Sequence, residues 1–115
     1  MLIRHAAALA LVGWYLMVPP LFKQGINSNA PLSDWDQKGA FDTADKCEEA
    51  RSRLSDCGEV LNDARPGNAI DLCGAGFKPR SAYKDKSQAD IVGQLAFQYM
   101  EARCVSTDDP RLKGN

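Results

Sequence analysis

The sequence is poor in the residues that catalysis and metal binding most often need. It has one histidine, His5, among 115 residues. A single imidazole at the start of the chain argues against Ser-His-Asp and Cys-His catalysis, and against histidine-ligated zinc or haem. It also lacks an excess of either charge, with 14 Lys+Arg against 15 Asp+Glu. Nucleic-acid-binding domains normally carry a basic surplus, so we expect no nucleic-acid partner.

The four cysteines lack the close spacing of a metal knuckle. They are separated by 9, 15 and 30 residues, whereas a zinc ribbon brings two thiolates together from one tight turn. There is no C-x-x-C pair for thiol exchange and no C-x-x-C-H for covalent haem. We therefore expect two disulfides and neither a metal nor a cofactor, with a metal site and free or redox-active thiols as the alternatives. The cysteines are Cys47, Cys57, Cys73 and Cys104.

The N-terminus holds the longest apolar run. After Arg4 and His5, residues 6–18 carry no charge, which matches the n-region and h-region of a secretory signal. We predict a hydrophobic helix from Leu2 to Val18, about 25 Å long against a hydrocarbon core of about 30 Å. Three interpretations stay open: an uncleaved membrane anchor, a cleaved signal peptide, and a buried helix of a soluble domain.

The flanks of this run decide between the first two interpretations. The nearest candidate for a small-x-small cleavage site is Ser28-Asn29-Ala30. Pro31 would follow the cleaved bond and obstruct the peptidase, so an uncleaved membrane anchor is favoured. Arg4 precedes the apolar run and acids follow it, which places the later residues outside the cytoplasm. We expect a bacterial inner-membrane protein with a periplasmic domain, or a periplasmic protein if the signal is cleaved. The membrane partner is residues 2–18.

Three segments are predicted along the chain: residues 1–22 as signal peptide or anchor, 23–31 as a polar linker, and 32–115 as an exported domain. Helices are predicted at about 42–62 and 87–104 because both stretches lack proline and carry apolar residues at helical spacing. The fold class is therefore all-α, a small two-disulfide helical hairpin domain preceded by the hydrophobic helix. Small domains with few large apolar residues commonly add disulfides.

A basic loop is the one candidate ligand site. It follows Gly74-Ala75-Gly76, whose backbone N–H groups are accessible to an anion. The spacing is not that of a P-loop, and a solvated basic loop near anionic lipid is the simpler interpretation. The candidate anion-binding residues are Lys78, Arg80, Lys84 and Lys86.

Two segments carry a family resemblance. Residues 41–50 (FDTADKCEEA) and 102–114 (ARCVSTDDPRLKG) resemble a family of small uncharacterised bacterial proteins, exported or membrane-anchored, with an early Trp-Tyr-Leu-Met-like run. The resemblance covers about half of the chain and implies no activity. It implies that Cys47 and Cys104 are the family's pair, with Cys57 and Cys73 as an extra pair.

Helix packing favours the same choice among the three possible connectivities. Antiparallel packing brings Cys47, early in the first helix, beside Cys104, late in the second. Cys57 lies about 15 Å further along the first helix and can bond to Cys73 across the Pro66-Gly67 turn. A Cys47–Cys57 bond is excluded by their separation along one helix.

The function expected from these observations is non-catalytic. We expect an accessory or interaction module on the periplasmic face of the inner membrane, with an unidentified membrane or periplasmic protein as partner. An exposed apolar patch around Trp35, Phe77 or Tyr83 would mark its interface. The alternative is a small ligand-binding or anion-binding protein that uses the 78–86 loop. No set of convergent polar side chains suggests an enzyme.

Overall fold

A computed structural model of the chain describes residues 13–22 and 25–114. In this part the fold is mixed α/β, so the all-α prediction is wrong. Three single-turn 3₁₀ segments lie at Leu32–Asp34, Arg80–Ala82 and Pro110–Lys113. The strands are β1 (Trp14–Val18), β2 (Leu21–Phe22), β3 (Gly25–Ile26), β4 (Asp36–Phe41) and β5 (Arg103–Ser106), and the helices are α1 (Ala44–Leu61), α2 (Ala69–Cys73) and α3 (Lys86–Met100).

The apolar run before Pro19-Pro20 forms the centre of a sheet. The order is β4-β1-β5, with both neighbours antiparallel to β1. Leu16, Met17 and Val18 are all buried although their side chains alternate between the two faces. A strand that is buried on both faces has a continuous apolar sequence. When such a run is short, its sequence cannot be distinguished from that of a buried helix. The predicted helix over Leu2–Val18 is therefore wrong at Trp14–Val18.

Residues 1–12, which make up the rest of that predicted helix, lie outside the described part of the chain. Among residues 13–22 and 25–114, no helix combines the length and apolarity needed to cross a membrane.

Each face of the sheet covers a separate apolar cluster. Leu16 and Val18 pack with Cys47 of α1 and with Ala102. On the other face Met17 and Val105 pack with residues of the first 3₁₀ region, Leu32 and Trp35, and the Trp35 indole donates to the Ala30 carbonyl over 2.9 Å. The third cluster joins the three helices around residues Cys57, Val60, Leu61, Ala69 and Ala96.

Helix α1 continues through Gly58 without a break. It begins after Thr43, whose hydroxyl accepts from the Lys46 N–H at 3.2 Å, and continues to Leu61. Gly58 is buried where α1 meets α3, and a β-carbon there would lie 2.6 Å from the Ala96 carbonyl oxygen. The glycine therefore permits a close approach of two helices.

Helix α3 begins one residue earlier and ends four residues earlier than predicted. Its N-cap is Asp85, whose carboxylate accepts from the Ser87 hydroxyl and N–H, and these hydrogen bonds lower the pKa of that carboxyl. Near its end the buried Gln98 amide donates to the Pro19 carbonyl at 2.8 Å. The chain then enters β5, so Cys104 lies on a strand and not at a helix end.

A short hairpin follows the two prolines. In it Leu21 pairs with Ile26 and Phe22 with Gly25. Strand β3 thus occupies part of the segment 23–31 that was expected to be a linker. Lys23 and Gln24, between the two strands, lie outside the described residues.

Candidate functional site

The two disulfides have the predicted pairing. Cys47 bonds to Cys104 with a Cα–Cα separation of 6.0 Å, and Cys57 bonds to Cys73 with a separation of 5.2 Å. Cys47 and Cys57 are fully buried. The first bond fixes α1 to the edge strand β5, and the second fixes α1 to α2.

Arg80, a member of the candidate anion site, makes its contacts within the fold. The Arg80 guanidinium donates to the Asn62 side-chain oxygen at 3.0 Å and lies 3.8 Å from the Asp90 carboxylate. It also packs against Gly93 of α3, where an added β-carbon would lie 2.9 Å from a guanidinium nitrogen. Arg80 therefore joins the α1 C-terminus to α3.

The other three cations of the loop have surroundings of their own. The Lys78 ammonium lies 4.6 Å from the centre of the Tyr83 ring, a cation–π contact. Lys84 and Lys86 are exposed, and Lys86 is the first residue of α3. Thus Lys78 makes a local contact with Tyr83, Arg80 joins two helices, and Lys86 begins α3.

The aromatic residues expected to mark an interface are mostly covered. Trp35 is 5% exposed, and Phe77 and Tyr83 are half-buried. Large exposed apolar side chains lie elsewhere, with Leu21 and Phe22 on the hairpin exposed by 44% and 48%. Phe97 of α3, 51% exposed, borders a depression whose other wall includes Gly25 and Ile26 of β3. We call Leu21, Phe22 and Phe97 the hairpin patch.

The sequence did not reveal a groove along the outer edge of β5, which we call the edge groove. Its volume is about 420 Å³. It is lined by Ala102, just before the strand, by Arg103 and Cys104 on the strand, and by Glu48 and Arg51 on α1. Two residues of the strand and the residue before them form one wall. No residue type signals such a wall, because it depends on which strand lies at the edge.

A second groove, of about 660 Å³, lies on the opposite flank of α1, where Phe41 and Ala50 supply an apolar floor. Lys46, Glu49 and Arg53 border it and bring both signs of charge. Glu48 and Glu49 thus lie in different grooves, as expected for adjacent helical residues.

The acidic pair near the C-terminus has a capping role. The Asp109 carboxylate accepts from the Arg111 backbone N–H at 2.9 Å and forms two-pronged contacts with its guanidinium, the shortest 2.7 Å. These contacts lower the pKa of the Asp109 carboxyl and raise the pKa of Arg111, and the side-chain hydrogen bond has the largest effect on both. Asp108 accepts from the Ser106 hydroxyl.

Within the described residues, no three His, Cys, Asp or Glu side chains are grouped as a metal site would require. Comparison of the chain with protein-family models, with curated proteins and with solved structures found no match.

Proposed function

We propose that the chain is a non-catalytic interaction module that works in an oxidising compartment, the periplasmic side of a bacterial inner membrane. The observation that carries the proposal is the edge groove. A disulfide, Cys47–Cys104, holds the helix and the edge strand that contribute its two walls. Such a fixed, open groove suits the binding of another polypeptide better than the enclosed binding of a small molecule.

The disulfides support the proposed compartment. Structural disulfides persist in oxidising environments and are rare in the cytosol of most organisms. Each closes a long span of this chain, 57 residues for Cys47–Cys104 and 16 for Cys57–Cys73. By the chain-entropy model, these bonds contribute about 4 and about 3 kcal/mol. Contributions of that size are comparable with the whole stability of a small domain, so we infer that the oxidised form is the functional one.

The alternative, anion binding by the 78–86 loop, has less support. Arg80 is held by Asn62 and Asp90, and Lys78 lies over Tyr83, so an anion would have to compete with contacts that the fold already makes. Exposed Lys84 and Lys86 alone are a solvated basic surface. The hairpin patch is a further apolar surface of the kind that marks contacts with proteins or membranes.

The position of β1 restricts how the chain can be processed after export. Cleavage between Leu21 and Pro31 would remove the central strand of the sheet. Cleavage after Ala8-Leu9-Ala10, a small-x-small sequence within the apolar run, would leave the sheet intact. We propose that any export signal lies before Gly13, whose N–H donates to the Thr107 hydroxyl at 2.9 Å.

The interaction proposal can be tested by photocrosslinking in cells that export the full chain. A photoreactive residue at Arg51, in the edge groove, should give a discrete higher-mass product. The same residue at Lys84, on the basic loop, is the matched control and should give none. Absence of any product from Arg51, from the second groove and from the hairpin patch would contradict the interaction function.

The compartment and the processing site need a separate measurement. N-terminal sequencing of the chain recovered from the periplasmic and membrane fractions should give a first residue at or before Gly13. Recovery of reduced protein from the cytosol alone would contradict export, and a first residue after Gly13 would contradict the proposed boundary.

A further inference from the structure

The two disulfides are nested along the sequence. The first cysteine bonds to the last, Cys47 to Cys104, and the second bonds to the third, Cys57 to Cys73. The two cysteines that lie closest along the chain, Cys47 and Cys57, both belong to helix α1 and are not bonded to each other. Correct pairing therefore requires that Cys47 bypass its nearest neighbour.

In the unfolded chain, that nearest pair has the advantage. The native bonds span 57 and 16 residues, and Cys47 lies closer to Cys57 than either span. Because the entropic cost of closing a loop rises with its length, a Cys47–Cys57 bond is favoured about twofold over Cys57–Cys73 and about tenfold over Cys47–Cys104. Oxidation that precedes folding therefore gives this non-native bond more often than either native bond.

Helix α1 excludes the non-native bond, but only after the helix has formed. In the helix, the Cα atoms of Cys47 and Cys57 lie about 15 Å apart, whereas a disulfide needs a Cα separation of about 4.4–6.8 Å. A Cys47–Cys57 bond and a complete α1 are therefore mutually exclusive. A misbridged chain cannot complete the two apolar clusters to which α1 contributes.

Many of the residues that stabilise α1 lie later in the sequence. Cys57 packs in a cluster with Ala96 of α3, and Cys47 packs in another with Ala102. Nucleation of an isolated helix is costly, so most of the stability of a helix in a protein comes from such packing. Export from a signal before Gly13 delivers Cys47 and Cys57 to the oxidising compartment before these partners.

From this pairing we infer that the exported chain is a substrate of a thiol–disulfide isomerase, which attacks the misbridged Cys47–Cys57 pair and converts it into the two native bonds. The partner is thus an oxidoreductase with a reactive thiolate at its active site. The inference goes beyond the proposed interaction function, and it rests on the oxidising compartment proposed with that function.

The exchange conserves atoms and electrons, so it consumes no oxidant or reductant. In a chain that holds Cys47–Cys57 and Cys73–Cys104, the isomerase thiolate attacks Sγ of Cys57, forms a mixed disulfide and releases the Cys47 thiolate. That thiolate attacks Sγ of Cys104, which forms Cys47–Cys104 and releases the Cys73 thiolate. The Cys73 thiolate attacks Sγ of Cys57, which forms Cys57–Cys73 and releases the isomerase thiolate. Small thiols in a refolding buffer carry out the same exchange over minutes to hours.

The native fold protects the product from further exchange. Cys47 and Cys57 are fully buried on α1, and their partners Cys73 and Cys104 are half-buried. Each native bond therefore has one cysteine that a thiolate from solvent cannot reach without unfolding α1. The misbridged chain lacks this protection because its α1 is incomplete. The isomerase thus acts on the wrong pairing and releases the right one.

The test compares bacterial cells that export the full chain with and without a thiol–disulfide isomerase in the periplasm. Thiols are blocked at harvest, and non-reducing peptide mapping measures each bond. With the isomerase we expect the two native bonds alone. Without it, Cys47–Cys57 should be at least as abundant as Cys57–Cys73, as loop closure predicts. Return of the isomerase should restore the native pairing, and an isomerase without its reactive cysteine should not.

A trapping experiment identifies the sulfur that is attacked. An isomerase that lacks its second active-site cysteine cannot release the intermediate by its own thiol, and acid quenching protonates the thiolates and stops further exchange. We expect a mixed disulfide between this isomerase and Cys47 or Cys57 of the chain.

The matched controls are chains in which only one intramolecular bond can form. The double variant Cys57→Ser, Cys73→Ser should form Cys47–Cys104 equally with and without the isomerase and should give no trapped complex. The double variant Cys47→Ser, Cys104→Ser should behave in the same way through its remaining bond, and circular dichroism checks the folding of both variants.

Three results would overturn the inference. They are native pairing to the same extent without the isomerase, a mixed disulfide linked only to Cys73 or Cys104, and equal trapping of the natural chain and both controls. The first would show that α1 forms before its cysteines are oxidised. Crosslinking from Arg51 reports on the interaction function separately, so that function can stand when the isomerase requirement fails. Reduced protein confined to the cytosol would contradict both.

Discussion

Replacing Gly58 with alanine tests a close contact between helices α1 and α3. In a helix interior this change normally stabilises a protein by about 1 kcal/mol, because alanine restricts the unfolded chain and has the higher helix propensity. Here the new β-carbon would lie 2.6 Å from the Ala96 carbonyl oxygen, 2.9 Å from Met100 Cγ and 3.2 Å from Tyr99 Cβ. Backbone and packed side chains on α3 must therefore move.

The expected result is a net loss of stability. Overpacking of this kind costs about 1–3 kcal/mol in addition to cancelling the propensity gain. Ala96 is fully buried in the cluster that joins the helices, so α3 cannot withdraw without opening a cavity beside Leu61. We expect Gly58→Ala to lower the free energy of unfolding by about 1–3 kcal/mol, measured by urea unfolding of the oxidised protein.

Gly93→Ala is the matched control for this measurement. Gly93 is also buried within a helix, but its added β-carbon would meet only the end of the Arg80 side chain, at 2.9 Å. A flexible guanidinium can shift by a few tenths of an ångström. We therefore expect Gly93→Ala to change the unfolding free energy by less than about 1 kcal/mol. The reasoning is refuted if Gly58→Ala is as stable as the natural protein, or if Gly93→Ala is the more damaging of the two.

Three other predictions concern polar contacts and the disulfides. Gln98→Leu leaves the buried Pro19 carbonyl without its donor and should cost about 1–3 kcal/mol in urea unfolding. Gln94→Leu, one turn earlier and only half-buried, should have a much smaller effect. Asp109→Asn should reduce stability most at neutral pH, because the pKa of the folded carboxyl is lowered by its hydrogen bonds to Arg111. The contribution of the carboxylate is full above the ordinary aspartate pKa of about 3.9 and is lost as pH falls through the folded value, so thermal scans should show a larger effect at pH 7 than at pH 2. Replacement of both Cys57 and Cys73 by serine should cost about 3 kcal/mol, and equal losses at pH 2 and pH 7 are expected for that pair.

The helices were predictable because their signals are local. A stretch without proline, a capping Thr43 and apolar residues at helical spacing define α1 whatever surrounds it. The strands depend on partners far along the chain. Asp36–Phe41 is polar and mostly exposed because it lies at an edge, so its sequence carries no alternation to detect. Trp14–Val18 has the opposite problem, since burial on both faces gives an apolar run that fits a membrane helix equally well.

The cysteine pairing was predicted correctly from partly wrong geometry. Cys57 and Cys73 lie on neighbouring helices, as expected across the Pro66-Gly67 turn. Cys104 reaches Cys47 from β5 and not from the end of a second helix. The predicted pairing was nevertheless correct, because the predicted helix and the observed strand both bring Cys104 beside the start of α1. The edge groove was missed for the same reason, since a helical end at Cys104 exposes no strand edge.

The sheet joins segments that lie far apart in the sequence. We therefore predict that one disulfide needs the sheet in order to form and that the other does not. Gly13 and Thr107 are joined by hydrogen bonds although they are 94 residues apart. Strand β5 is positioned by β1, so the Cys47–Cys104 bond needs β1 in place. The Cys57–Cys73 bond lies among the helices and does not involve the sheet. A chain that begins at Leu21 should therefore form Cys57–Cys73 on oxidative refolding and give little Cys47–Cys104, whereas a chain that begins at Gly13 should form both. Non-reducing peptide mapping measures the two bonds directly. Equal recovery of Cys47–Cys104 from both chains would show that the helices alone bring these cysteines together, and the central role of β1 would then be wrong.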